Sequence, residues 1–227
     1  MAYVLGYFVA DGCISEDKKR IKNKYTFNIT SADLEHLEKI AKVMQSDYKI
    51  SKKSGSSGSL AYQIQARNDT LANDLMGLGI YPRKTYNLEP IKVPEEYFSD
   101  YARGFFDGDG TVYIYNVNKS PQIKSGFVAV SLPFVEDFNT RLCRFLKISE
   151  KSIHQAKDKR KNTMTQYNIC FYIDDSEKLA KFMYGNNPKL YLDRKKKIFD
   201  EWKLIKRRHY IKENYPSKIG WRLNPNF

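Results

Sequence analysis

Two aspartates define the chemistry open to this chain. Asp11 closes the run Val4-Leu5-Gly6-Tyr7-Phe8-Val9-Ala10-Asp11-Gly12, and Asp109 closes Ala102-Arg103-Gly104-Phe105-Phe106-Asp107-Gly108-Asp109-Gly110, so each run reads as a short apolar helix ending in a carboxylate. At helical spacing Ala2, Gly6 and Ala10 fall on one stripe, and Gly104 and Gly108 form its counterpart in the second run. Faces with almost no side chain let two helices approach until their backbones nearly touch. Leu5, Tyr7, Phe8, Phe105 and Phe106 are left to anchor each helix in its own half. Side by side and pointing the same way, the helices bring Asp11 and Asp109 out together at C-terminal ends, where free carbonyls already gather negative charge. A hard divalent cation held by carboxylates and carbonyls relieves that repulsion, the carbonyls of Ala10 and Gly108 being nearest.

Taken alone, Asp107-Gly108-Asp109-Gly110 is equally a helix-ending turn. A calcium loop of the EF-hand type fails on spacing, because it requires Gly where Val112 stands and Glu where Asn118 stands. Two copies, each preceded by the same glycine-aromatic helix, favour a paired site over a pair of turns. His36, His154 and His209 follow no metalloprotease or H-N-H layout and read as surface or strand residues, with His154 able to touch a ligand from its strand.

Elements of alternating and helical period must carry these helices. After Gly12 comes a charged loop, Glu16 to Lys24, then a strand with Tyr25, Phe27 and Ile29 on one side and Thr26, Asn28 and Thr30 on the other. Ser31 or Asp33 caps a helix whose Leu34, Leu37, Ile40, Val43 and Met44 hold the 3.6 period. A second hairpin puts Tyr48, Ile50, Tyr62, Ile64 and Ala66 inward and Lys49, Ser51, Lys53, Gln63, Gln65 and Arg67 outward, around a turn at Ser54 to Ser59. Asn68 to Met76 is a short helix, and a bridge with Pro90 and Pro94 runs to Asp100.

The second half repeats the order. Val112 and Ile114 point in, with Tyr113, Tyr115 and Lys124 on the opposite face; Phe127 to Ser131 matches Phe27 to Ser31; Phe134 to Leu146 is the covering helix. Ser152 to Lys157 and Gln166 to Tyr172 form the last hairpin, with Tyr167, Ile169 and Phe171 inward and Ser152, His154, Gln166, Asn168 and Tyr172 outward. A short helix spans Ser176 to Met183, and Lys195-Lys196-Lys197 opens a basic helix with Ile198, Phe199, Trp202 and Ile205 on one face. Duplication of one unit explains the repeat.

The 227 residues carry a formal charge of +13 and 41% hydrophobic residues, enough for a core and pointing to a polyanionic partner, nucleic acid before membrane because the Lys and Arg are spread over many segments. Outward Arg, Lys, Gln and Asn suit base edges in the major groove, although a polar outer face is also normal for any antiparallel sheet. Cys13, Cys143 and Cys170 are odd in number and lack zinc spacing, and read as reduced, buried thiols of an intracellular protein. No bilayer-spanning run or signal peptide is expected, which places the chain in solution in a cytoplasm or organelle matrix.

In these two motifs and the segments between them the sequence resembles the LAGLIDADG homing endonucleases of the single-chain, two-motif type. That resemblance implies an α+β fold of two pseudo-symmetric αββαββα halves, residues 1–98 and 99–227, with saddle-shaped antiparallel sheets joined by the central helix pair. It implies a monomer that cuts both strands of a long asymmetric DNA target across the minor groove with Mg²⁺, leaving 3′ overhangs. Two or more divalent ions are expected, with Mn²⁺ or Ca²⁺ as substitutes. Asp11 and Asp109 fall on the metal-binding position of the motif, and Lys84 and Lys195 on the pocket lysines, with Arg83 and Arg194 adjacent. The lysines read equally as phosphate contacts or exposed charges. Val9 replaces the earlier motif aspartate in the first copy, whereas Asp107 keeps it in the second. The alternative is a non-cleaving protein of the same fold, a maturase for intron RNA or a DNA-binding regulator.

Overall fold

The computed structural model describes residues 1–54, 60–157 and 164–214, and the side chains of 86, 87, 157 and 207–214 lie outside the description. Helix α1 (Ala2–Asp11) leads into β1 (Gly12–Glu16) and β2 (Tyr25–Ser31), α2 (Leu34–Val43), β3 (Ile50–Ser54), β4 (Leu60–Arg67) and α3 (Asp69–Gly77). A short helix α4 (Lys84–Asn87) and a 3₁₀ turn (Glu95–Tyr97) cross to the second unit: α5 (Phe98–Asp109), β5 (Thr111–Val117), β6 (Ser120–Ala129), α6 (Leu132–Leu146), β7 (His154–Lys157), β8 (Thr165–Tyr172) and α7 (Ile173–Tyr184), followed by α8 (Asp193–Asn214). The αββαββα order therefore occurs twice. The turn at 55–59 and the tail from 215 lie outside the described residues.

Each unit forms one four-stranded antiparallel sheet, ordered β1-β2-β4-β3 and β5-β6-β8-β7. Register follows the alternation of the sequence. Phe27 lies opposite Ile14 and Ala66, and Ile29 opposite Ile64, so one face is apolar and packs on the helices. The other face carries Thr26 opposite Arg67, Asn28 opposite Gln65 and Thr30 opposite Gln63. In the second sheet Phe127 lies opposite Ile169 and Ser125 opposite Phe171. Phe105, Phe127, Phe134 and Phe138 stack there with centroids 4.8 to 5.9 Å apart, close enough for edge and offset contacts.

Local signals set the helix starts. Asp33, not Ser31, caps α2 by accepting from the His36 amide at 3.0 Å, and Asn68 caps α3 by accepting from Leu71 at 2.9 Å. Several elements exceed the sequence reading. Helix α5 begins at Phe98 within the expected bridge, α7 begins directly after β8, and α8 extends to Asn214. In α5 the added turn carries Asp100, an acid well placed at a helix start. Conversely, Lys49 and Ser152 precede β3 and β7 and are exposed without strand pairing. His36 is a correction: it is a helix residue 2% exposed, because its ring packs on Tyr3 and Tyr7. Cys13 is another, exposed on the outer face of β1, whereas Cys143 is buried and Cys170 half-buried. Among the described residues no helix is long and apolar enough to cross a membrane.

Candidate active site at the helix seam

The centre of the molecule is the contact between α1 and α5. A methyl group on Gly6 would lie 2.0 Å from the Tyr101 carbonyl oxygen, and one on Gly104 would lie 2.0 Å from that of Tyr3. Further along, one on Gly108 would lie 2.2 Å from the Ala10 methyl and 3.3 Å from Asp11 Oδ2. Matching positions meet in order, so the helices run parallel and both acids emerge at the same end. The closing glycines serve the exit into each first strand, since a side chain on Gly12 or Gly110 would strike the ring of Phe8 or Phe106.

Electrostatics agree with that placement. Burial pushes the Asp109 carboxyl up to about 6, and the charge of Asp11 pushes in the same direction. Burial also raises Asp11, opposed by a hydrogen bond from Tyr7 and by the charges of Lys195, Lys84 and Arg194. Asp11 is exposed at the surface of the seam and Asp109 half-buried; two neighbouring acids that resist ionising together are a donor set that a hard cation satisfies, and both offer oxygen only. No cluster of three or more His, Cys, Asp or Glu surrounds them among the described residues, so any ion held here takes its remaining ligands from elsewhere. The residues present fit an oxygen-loving divalent ion that also binds phosphate.

The lysines face the same seam. Lys84 Nζ donates to the carbonyls of Val9 (2.5 Å) and Ala10 (3.1 Å). Lys195 Nζ donates to those of Phe106 (2.6 Å), Gly108 (3.1 Å) and Gly110 (2.6 Å). Both ammonium groups thus close the C-terminal ends of the motif helices, where unpaired carbonyls need partners. The carbonyls of Ala10 and Gly108, expected to face a metal, already accept from these lysines and have one lone pair each left to offer. Burial lowers both lysines, Lys195 to about 8. Arg83 and Arg194 are exposed beside them. Beside Asp109 and Lys84 opens a cleft of about 270 Å³, lined also by Phe105, Val128, Val130 and Gln166.

Behind the acids a polar network joins the halves. Asp107, 1% exposed, accepts from the Tyr3 hydroxyl (2.6 Å) and the Leu192 amide (2.8 Å). Tyr3 in turn accepts from His36 Nε2 at 3.0 Å. Arg103 donates to the carbonyls of Leu190 and Met183 and pairs with Asp100. Asp107 is therefore structural. In the first copy Val9 stands at that position and is buried among apolar neighbours.

The outer sheet faces carry the other expected residues. Thr26, Thr30, Ser51, Lys53, Gln63, Gln65 and Arg67 share one face with Asn28, which is 7% exposed because it donates to Gln63 (2.9 Å) and accepts from Thr30 (2.7 Å). In the second sheet Tyr113, Tyr115, Lys124, Asn168, Tyr172, His154 and Gln166 share the corresponding face. Sequence reasoning missed Cys13, Ser15, Thr111 and Gln122, which the register places on these same faces. Their signal was the alternation around Ile14, Val112 and Ile123.

Comparison with known proteins agrees with this geometry. Residues 1–66 match the family described as LAGLIDADG-like domain. No curated protein matches the sequence. Among solved structures, LAGLIDADG homing endonuclease I-GzeII in complex with its DNA target superposes with a TM-score of 0.57 at 13% identity, over 96% of this chain and 92% of that one. I-LtrWI bound to target DNA gives 0.55 at 13%, over 93% and 90%, and I-DmoI in complex with DNA and Ca gives 0.51 at 14%, over 84% and 91%. The chain therefore shares the fold of these LAGLIDADG homing endonucleases over nearly its whole length, and its first 66 residues match a LAGLIDADG-like domain.

Proposed function

We propose that the protein is a site-specific, Mg²⁺-dependent double-strand DNA endonuclease that acts as a monomer on a long asymmetric target and leaves 3′ overhangs. The carrying observation is the meeting of Asp11 and Asp109 at one parallel seam, each helix end closed by a buried lysine. Asp11 and Asp109, with the free lone pairs of the Ala10 and Gly108 carbonyls, are the groups that hold the ion; when bound, it polarises the scissile phosphates and acidifies water. The chain's own residues do the rest. The glycine contact fixes the spacing of the acids, and the buried lysines offset charge where two phosphates and two carboxylates converge. Outward side chains of both sheets bind the flanking duplex in the major groove. I-GzeII and I-LtrWI are solved on DNA, and I-DmoI on DNA with Ca, which supports this reading.

A non-cleaving protein of the same fold, binding intron RNA or DNA, is the second reading. Two repelling acids retained at one seam favour the nuclease, because binding alone has no use for them. The test is selection from a plasmid library with randomised inserts. With Mg²⁺ a subset of plasmids is linearised with 3′ extensions, and EDTA abolishes this. Retention of plasmids with no linear product in Mg²⁺ or Mn²⁺ supports the binding protein instead.

A further inference from the structure

The two sheets present the same place in the pseudo-symmetric frame with different chemistry. Four residues beyond each acid, the register aligns one three-strand row per arm. On the N-terminal arm it is Ser15, Thr26 and Arg67. On the C-terminal arm it is Tyr113, Lys124 and Tyr172.

These rows cannot read a base pair in the same way. Arg67 is exposed, and its fork of donors matches the O6 and N7 acceptors of guanine, with Ser15 and Thr26 hydroxyls beside it. The opposite row offers ring surface. Tyr113 and Tyr172 are 46% and 52% exposed, and the Lys124 ammonium lies 5.2 Å from the Tyr172 ring centroid. Tyr115 widens the apolar area, with its ring 5.8 Å from Tyr113 and its hydroxyl donating to Gln122 at 3.0 Å. The adjoining row nearer the seam is Thr111, Gly126 and Cys170, so little side chain stands in front of the tyrosines. The apolar group that a base pair shows in the major groove is the C5-methyl of thymine.

Resting on the reading of the sheets as a DNA-binding surface, we propose that Tyr113 and Tyr172 select thymine by its methyl on one side of the target while Arg67 selects guanine at the symmetry-related position on the other. Four strand residues span about 13 Å, so both positions lie roughly four base pairs from the centre. The target is thereby chemically non-palindromic, and the chain is oriented on it in one direction.

The experiment selects duplexes from a randomised library with the wild-type protein in Ca²⁺, then remakes the selected duplex with modified bases. Thymine is enriched about four base pairs from the centre on one side, and guanine on the other. Deoxyuridine in place of that thymine lowers affinity about 4-fold, the effect of one buried methyl at about 0.8 kcal/mol. The Tyr113→Ala/Tyr172→Ala protein binds both duplexes equally, and 7-deazaguanine weakens wild type without affecting Arg67→Ala. All three residues are exposed, so these variants keep the fold. Selection of duplexes that are indifferent to deoxyuridine, or that show the same base preference on both sides, overturns the proposal while leaving DNA binding intact. Retention of no duplex at any salt concentration overturns the DNA-binding reading and this proposal with it.

Discussion

The glycine seam gives the sharpest quantitative expectation. In Gly104→Ala the new methyl would lie 2.0 Å from the Tyr3 carbonyl oxygen and 2.9 Å from both the Tyr3 carbonyl carbon and the Tyr7 nitrogen. All are backbone atoms of a packed helix, so no side chain can swing aside. Ordinary contact begins at 3.4 Å, and the helices must part by more than an ångström. Overpacking of this kind costs about 1–3 kcal/mol or more, against roughly 1 kcal/mol regained from helix propensity. A net loss near 2 kcal/mol corresponds to a fall in Tm of about 4–8 °C for a chain of this size. Gly77→Ala is the internal control, since a methyl there meets nothing within 4 Å. Urea and thermal unfolding of both proteins provide the assay. Gly104→Ala as stable as wild type would show that the helices do not meet as described, and Gly77→Ala equally destabilised would show that the loss does not come from the close contact.

Three further outcomes follow from the buried polar groups and the charge. Lys195→Met leaves the Gly108 and Gly110 carbonyls without a partner, Phe106 keeping the Gly110 amide, and Lys84→Met leaves those of Val9 and Ala10, so each variant loses roughly 1–3 kcal/mol of stability in denaturant melts. Burial lowers His36 to about 4, below its ordinary 6.5, so the unfolded chain binds the proton first. The His36 contribution is complete above pH 6.5 and is lost as pH drops toward 4, by up to roughly 3 kcal/mol, whereas the raised carboxyls of Asp107 and Asp109 act in the opposite sense below pH 6; relative to wild type, a His36→Gln protein lacks the acid-side loss in its Tm profile. Binding to duplex DNA weakens steeply between 50 and 200 mM salt, as expected from displaced counterions at a surface with net charge +13, and titration by fluorescence anisotropy at several salt concentrations measures the slope.

Much of this was legible because it rests on short-range periodicity. The small-residue stripe placed the seam, and the period-two alternation from Tyr25 to Thr30 and from Tyr62 to Arg67 fixed which side chains face outward. Partners far apart in sequence were not legible. Nothing local says that Tyr3 bonds to both His36 and Asp107, or that Arg103 of an apolar helix finds carbonyls at Met183 and Leu190. His36 was read as a surface residue for that reason. The lysines were found by position in the chain, but that they would occupy the very carbonyls expected to face a metal emerged only in three dimensions. Cys13 could have been placed outward from Ile14, its inward neighbour, had alternation been given more weight than the usual burial of free cysteine.

Replacing each acid in turn probes the shared-cation seam most directly. Asp11→Asn and Asp109→Asn should each bind a selected duplex in Ca²⁺ at least as tightly as wild type, because one repelling charge is gone, and neither should produce double-strand breaks in Mg²⁺. An Asp109→Asn protein that still linearises the plasmid at the wild-type rate would contradict the assignment and move the chemistry away from the helix ends.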